Sequence, residues 1–377
     1  MRVLSVNAGF GPRAGGGGER NYQMASHLLE AGVDMRLLLT DKWLAGGEAP
    51  AGYPFPRERF TVLTIVNRRF DLVLPRPRLV DAAVRDADVI HITPYISPIV
   101  PPVIAAARRH GKPWVVSPVG LLPLRGHSIP LKKLYNIFWG TRMLREASRL
   151  IAVTSAERST LAPYAASPDR VVVIPNAIGP RPQRAVPPAP AGSRPFLLFM
   201  GGFNWTKGTD NLVEAFARVS RTELRDYDLV LAGDHRRAGI EALVERLGLR
   251  ERVRFTGWLT GEEKERTLAH ASFVVIPSRL DAMTIVVLEA AAAGKPVLMT
   301  NSCGFPELEE YGGGHLVDPS VDGLTRGLQW MVEHRDRWPE MSLRMETLTQ
   351  QYSWTAMTRR YLDLFRDVVN EAQSPHA

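Results

Sequence analysis

Residues 273–299 read FVVIPSRLDAMTIVVLEAAAAGKPVLM. A β-rich apolar run, Phe273–Ile276, gives way to a polar loop at Pro277. An apolar helix follows near Thr284–Ala293, and a second apolar run, Pro296–Met299, closes the unit. Gly294 just past the helix and Pro296 soon after it are ordinary stop signals. Neither run alternates apolar with polar residues, so both are expected in a parallel sheet covered on its two faces.

The same alternation extends outward in both directions. Upstream lie strand Phe196–Met200, helix Asn211–Val219, strand Asp228–Ala232, helix Gly239–Leu247, strand Val253–Phe255 and helix Glu262–His270. The first half repeats it with strands at Val3–Val6, Val33–Leu39, Asp88–Ile92, Trp114–Val116, Leu150–Val153 and Val171–Ile174. Between the halves, Gly179–Pro195 holds Pro180, Pro182, Pro187, Pro188, Pro190 and Pro195, which excludes helix and central strand and favours a stiff linker. The expectation is therefore α/β: two Rossmann-like, doubly wound domains, residues 1–180 and 181–353. A last helix, about 354–372, aligns Trp354, Met357, Tyr361, Leu364, Phe365 and Val368 in a stripe that needs a partner surface, expected on the first domain. Ligands of such sheets sit outside the C-terminal strand ends, so the two domains are expected to face one cleft.

Composition narrows the function. At 377 residues and 45% apolar, the chain is long enough for two cores and too apolar for disorder. One cysteine, Cys303, excludes an intrachain disulfide and a Cys-based zinc site. No apolar run is long enough to span a membrane and the N-terminus is no signal peptide, so a cytoplasmic protein is expected. The formal charge of +8 is uneven. Residues 1–180 carry 23 basic and 13 acidic side chains, and residues 181–377 carry 24 and 26. The basic half suits an anionic partner, and with no nucleic-acid motif in view an anionic membrane surface or phosphate-bearing substrate is expected instead.

Three stretches carry chemistry. After the first strand, Gly15, Gly16, Gly17 and Gly18 precede a helix; such a loop is an anion site or a flexible surface loop. The spacing lacks the dinucleotide pattern G-x-G-x-x-G that an oxidoreductase would need. After Met200, Gly201-Gly202-Phe203-Asn204-Trp205-Thr206-Lys207-Gly208 places a lysine before a helix, where it can meet a phosphate or solvent. In the opening stretch Glu289 is the one charge on an otherwise apolar helix, so its carboxylate needs a specific partner. Asp281 lies eight residues earlier, and the amides near Met283 and Thr284 begin the helix.

Here the chain resembles family 4 of the glycosyltransferases, retaining enzymes of the GT-B fold, of the bacterial surface-polysaccharide type. Asp281-x7-Glu289 followed by Ala290-Ala291-Ala292-Ala293-Gly294-Lys295-Pro296-Val297 resembles the family's E-x7-E and A-x-A-x-G-x-P-V. Val173–Ile178 resembles V-I-P-N-G-V, Gly201–Gly208 resembles G-R-x4-K-G, Ser117–Leu122 resembles S-P-H-G-M-L, and Cys303–Glu307 resembles C-G-F-P-E. The resemblance implies a UDP-, GDP- or similar nucleotide sugar as donor, a glycan or lipid-linked acceptor, and no metal or cofactor. It implies that Glu289 holds the ribose, Asp281 the transferred sugar, and Lys207 with the amides near Met283 and Thr284 the diphosphate. Gly257 and Trp258 would face the base, and Gly15, Gly16 and Gly17 the donor phosphates or the acceptor. Three positions depart: Gly202 replaces an Arg, Asp281 a Glu and Val119 a His. Arg13, Arg279 and His127 are candidate substitutes; His91 is expected to serve a loop carbonyl, and His235 and His315 carry no signal. A family member that has lost catalysis and binds sugar nucleotide as a partner subunit is the alternative.

Overall fold

Strand order determines where any ligand site falls in this protein. The computed structural model describes residues 1–374 except 12–13, 44–54, 68–71, 75, 94, 123, 125–128, 180–187, 189–191 and 235–236. It divides into two units, Met1–Asn176 with Trp354–Ala377, and Ala177–Ser353. Most of the proline-rich stretch, including Pro180, Pro182, Pro187 and Pro190, lies outside the described residues, as do Arg13, His127 and His235.

Unit 1 contains β1 (Arg2–Asn7), β2 (Asp34–Thr40), β3 (Phe60–Leu63), β4 (Ile65–Asn67), β5 (Leu72–Val73), β6 (Val89–Ile92), β7 (Trp114–Val116), β8 (Arg149–Ala152) and β9 (Val171–Val173). Apart from the small antiparallel pair β4–β5, these form one parallel sheet in the order β3-β2-β1-β6-β7-β8-β9. Its helices are α1 (Gly15–Glu30), α2 (Pro77–Arg85), α3 (Val100–Arg109), α4 (Ile129–Tyr135), α5 (Thr141–Glu146) and α6 (Ser155–Leu161). Unit 2 holds β10 (Phe196–Met200), β11 (Asp228–Ala232), β12 (Val253–Gly257), β13 (Phe273–Ile276), β14 (Val297–Thr300) and β15 (Gly314–Val317), ordered β12-β11-β10-β13-β14-β15. Its helices are α7 (Thr209–Val219), α8 (Arg237–Arg246), α9 (Gly261–His270), α10 (Ile285–Ala292), α11 (Glu307–Glu310), α12 (Val321–Glu333) and α13 (Trp338–Gln351). Each order reverses direction beside the unit's first strand, and both are the doubly wound arrangement. The strand interiors Val3–Val6, Leu197–Phe199, Leu229–Leu231 and Val297–Met299 are fully buried, as continuous apolar runs between helices require.

The terminal helix α14 (Trp354–Gln373) belongs to unit 1 and buries Trp354, Met357, Tyr361, Leu364, Phe365 and Val368. His27 on α1 stacks on Trp354 with ring centroids 5.4 Å apart, and Arg20 Nη2 donates to the Tyr361 hydroxyl at 2.8 Å. Two expectations change. The glycines Gly15–Gly18 are not a loop before a helix: they form the first turn of α1 itself, beneath which Gly11 N bonds Gly18 O. His91 on β6 serves no loop carbonyl. It is wholly buried, its Nε2 lies 2.8 Å from Ser117 Oγ, and its ring lies against Tyr361 and Phe365.

Burial, aided by the neighbouring Arg20 charge, pushes the His91 imidazole down to about 3 from its ordinary value of 6.5. The folded state therefore binds fewer protons here than the unfolded chain. The resulting stability is present above pH 6.5 and is lost as pH falls toward 3. Urea unfolding of unit 1 should weaken by about 1.4 kcal/mol per pH unit between pH 6 and 4.5 through this group. His91→Phe should remove that one-proton slope; an unchanged slope would show that His91 is not its source.

Candidate functional site

The reversal in unit 2 makes the loops after β10 and β13 neighbours, because those strands pair directly. The first loop is shaped by its own side chains. Asn204 Oδ1 accepts from Lys207 N at 3.2 Å and from Thr206 Oγ1 at 2.5 Å, closing a short turn, Trp205–Lys207. Gly208 then adopts a left-handed φ of 64° at the start of α7, where a Cβ would fall 2.0 Å from Pro277 O. Both conformation and space demand glycine there. The loops are stitched by Arg279 N and Leu280 N, which donate to Thr206 O at 2.8 and 3.3 Å.

Across this seam Lys207 Nζ reaches Asp281 Oδ2 at 2.5 Å. The loop after β14 supports the carboxylate from behind. Asp281 N donates to Ser302 O at 3.2 Å, Ser302 Oγ donates to Ser278 O at 2.6 Å, and Gly304, at φ 64°, lets the chain pass where a Cβ would lie 2.2 Å from Ala282 O. The Cys303 thiol packs in this support and burial pushes it up to about 11, so it stays protonated. Met283 and Thr284 are buried at the N-terminus of α10, whose peptide dipoles favour negative charge.

Glu289, in the second turn of α10, has the partner that its burial requires. Lys264 Nζ on α9 lies 2.8 Å from Glu289 Oε1, and the Glu289 side chain is only 15% exposed. Just before α9, Gly257 ends β12 with a φ of 78°, and the Trp258 side chain is half exposed. Lys207, Asp281, Glu289, Met283, Thr284, Gly257, Trp258 and Gly202 thus all lie in the loops and first turns at the C-terminal ends of unit 2's strands, or on the helices that follow them. Gly15, Gly16 and Gly17 belong to unit 1; a Cβ on Gly15 or Gly17 would meet nothing within 4 Å.

Arg279 cannot stand in for the arginine missing at Gly202. Its guanidinium binds both carboxylate oxygens of Asp210 at 2.7 and 2.8 Å, Asn211 Oδ1 at 2.5 Å and Trp205 O at 2.8 Å, and lies over the Trp205 ring. His315 is paired with Glu309 at 2.9 Å and stacked on Trp330. Among the described residues, no group of three or more His, Cys, Asp or Glu side chains is placed to hold a metal ion.

Two residues escaped the sequence reading. Lys264 sits in an ordinary charged helix segment, and nothing in its spacing marks it. Glu157 did leave a signal, since Thr154-x-x-Glu157 is a capping-box pattern. Thr154 Oγ1 accepts from Glu157 N at 3.1 Å, but the Glu157 carboxylate turns elsewhere: Gly120 N donates to it at 2.5 Å and Val153 N at 2.7 Å. It thereby holds the Ser117–Gly120 turn, in which Val119 has a φ of 48°. No other non-glycine among the described residues has a positive φ. A β-branched residue there is a true backbone outlier.

Comparison with known proteins agrees with this layout. Residues 15–177 match the model of the glycosyl transferase 4-like domain, and residues 183–350 match that of glycosyl transferases group 1. The chain is 34% identical over 182 residues to the α-D-kanosaminyltransferase of Streptomyces kanamyceticus, covering 46% of each chain. It is 32% identical over 174 residues to the lipopolysaccharide core biosynthesis glycosyltransferase LpsE of Rhizobium meliloti, covering 45% of this chain and 49% of that one. The chain thus spans about half the length of the curated relatives it matches. In fold it is similar to Anabaena HepE, solved in complex with UDP-glucose, with a TM-score of 0.78 at 18% identity over 97% of this chain and 100% of that one. With a family model on each half and two parallel sheets of the GT-B kind, the chain belongs to the type 4 glycosyltransferases.

Proposed function

We propose that the chain is a retaining, metal-independent glycosyltransferase. It moves a hexose-type sugar from a nucleotide-diphospho-sugar to a glycan or lipid-linked acceptor in polysaccharide or lipopolysaccharide biosynthesis, at an anionic membrane surface. One observation carries the reading. Two lysine–carboxylate pairs lie on the elements that follow unit 2's strands: Lys207–Asp281 in the loops at the switch point, just before the apolar helix α10, and Lys264–Glu289 between α9 and the second turn of α10. That arrangement offers cations and a helix N-terminus to a diphosphate, and carboxylates to sugar hydroxyls. LpsE, a lipopolysaccharide core biosynthesis glycosyltransferase, and HepE, solved in complex with UDP-glucose, support the same acceptor and donor classes.

The chemistry follows from charge. As the bond from the anomeric carbon to the diphosphate breaks, negative charge collects on the departing oxygen and positive charge on the sugar. Lys207 has three N–H groups, so it can keep Asp281 while donating to a phosphate oxygen. The α10 N-terminus adds a fixed dipole that needs no reorganisation as the charge develops. Asp281 then orients the transferred sugar, and Glu289, held in place by Lys264, accepts from the ribose hydroxyls. With Gly202 lacking a side chain and Arg279 bound to Asp210, diphosphate binding rests on Lys207 and the helix. Those same two facts favour the second reading, a sugar-nucleotide-binding partner subunit without turnover.

A single-turnover screen of UDP-, GDP-, ADP- and TDP-sugars with lipid-linked and glycan acceptors separates the two readings. Sugar transfer with nucleoside diphosphate release is the expected result; saturable binding with no release from any donor would establish the subunit reading. Lys207→Ala should lower kcat by about 10²–10³-fold with a smaller change in KM, because its charge matters most as the diphosphate departs. An effect on KM alone would place Lys207 in ground-state binding. Glu289→Ala should raise the donor KM about 10-fold or more by removing a charged hydrogen-bond acceptor. Lys264→Met should do the same to a smaller degree; a normal donor KM in both variants would remove the ribose from this carboxylate.

A further inference from the structure

Helix α4 is turned inside out. None of its residues is fully buried, and its leucines Leu131 and Leu134 face outward. The π-turn that continues it, Asn136–Gly140, exposes Ile137 by 75%, Phe138 by 61% and Trp139 by 49%. Unit 1 does not lack a core for them. The next helix, α5, buries Met143 and Leu144 in that core, and Trp114 Nε1 donates to Met143 O at 3.1 Å. On the inner side the Tyr95 hydroxyl donates to Asn136 Oδ1, and the Tyr95 and Tyr135 rings meet edge to face at 6.3 Å. The segment is thus fixed from within while its largest apolar side chains point away. Widened π-turns of this kind recur at functional positions.

Its charge identifies the occupant. Residues 129–145 contain Lys132, Lys133, Arg142 and Arg145 and no Asp or Glu. The acid that follows, Glu146, is taken by Arg108 and Arg142 at 2.8 and 2.6 Å. Adjacent large aromatic and aliphatic side chains beside lysines and arginines match the interfacial zone of a bilayer. There rings sit at headgroup depth, and cations meet anionic lipid. A second copy of the chain is a poor occupant, because a twofold contact would set this basic face against itself.

We propose that α4 and the π-turn after it form the docking element on an anionic lipid bilayer. Leu131, Leu134, Ile137, Phe138 and Trp139 enter the headgroup region, and the exposed Lys133 and Arg145 face the lipid charge. The inference deepens the membrane-surface part of the proposed function, but its test needs no turnover.

The test is co-sedimentation of the full chain with large vesicles of phosphatidylcholine alone, or with 30% phosphatidylglycerol, at low and high salt. Binding is expected on the anionic vesicles, weakened by salt and by omission of phosphatidylglycerol. The triple variant Ile137→Ser, Phe138→Ser, Trp139→Ser and the charge variant Lys133→Glu, Arg145→Glu should each lower the partition coefficient about tenfold or more. Both change exposed side chains only, so UDP or GDP binding and the urea transitions should match the wild type. Retained nucleotide binding alongside lost vesicle binding separates this proposal from the donor-site reading. In the wild type, a lipid-induced blue shift should disappear from the tryptophan emission with Trp139→Phe. Three results would overturn the proposal: wild type that ignores anionic vesicles at low salt, variants that bind as the wild type does, or a lipid-free oligomer that the triple variant renders monomeric.

Discussion

The ion pair between Lys207 and Asp281 exists because β10 and β13 lie side by side. In a doubly wound sheet the chain leaves the first strand toward one edge and later returns to the opposite side of it. Only at that reversal do two loops 74 residues apart emerge together at the C-terminal strand ends. The rest of the site is arranged around this seam. Thr206 O binds two amides of the facing loop, Gly208 admits Pro277 at a distance no side chain allows, and Gly304 does the same behind Ala282. Gly208, in the loop after β10, and Gly304, in the loop after β14, are therefore steric requirements of bringing a lysine and a carboxylate to one point.

The second pair obeys a different constraint. Helix α10 is apolar almost throughout, and an isolated carboxylate on it would be costly. Lys264 offsets that cost and also fixes the orientation of Glu289. A residue that stabilises the fold and a residue that positions the carboxylate proposed to hold the ribose are here the same residue. Truncating Lys264 leaves a largely buried charge uncompensated, so its effect on the site and its effect on unit 2 arise from one interaction.

Much of this was legible in the chain. Continuous apolar runs between helices gave the parallel sheets, and the α14 stripe from Trp354 to Val368 gave its buried face residue by residue. Glu289 drew attention because a lone charge in an apolar helix demands a partner. The partner itself was not legible, since Lys264 sits among Glu262, Glu263, Glu265 and Arg266 with nothing to distinguish it. The commitment of Arg279 to Asp210 is likewise a matter of geometry, invisible in a residue type that suits phosphate equally well. The glycine run misled for a local reason. Four glycines signal a loop by propensity, yet the fold uses them as the first turn of α1, where tertiary packing overrides propensity. The outward face of α4 was hidden because apolar residues at helical spacing ordinarily mean core.

The central claim is that a nucleoside diphosphate binds across the two loops at the unit 2 switch point. Hydrogen–deuterium exchange of the full chain with and without saturating UDP or GDP tests it directly. The account predicts slowed exchange confined chiefly to Gly202–Gly208, Gly257–Gly261 and Asp281–Glu289. A bound nucleotide that leaves these segments unchanged and protects others instead would contradict it.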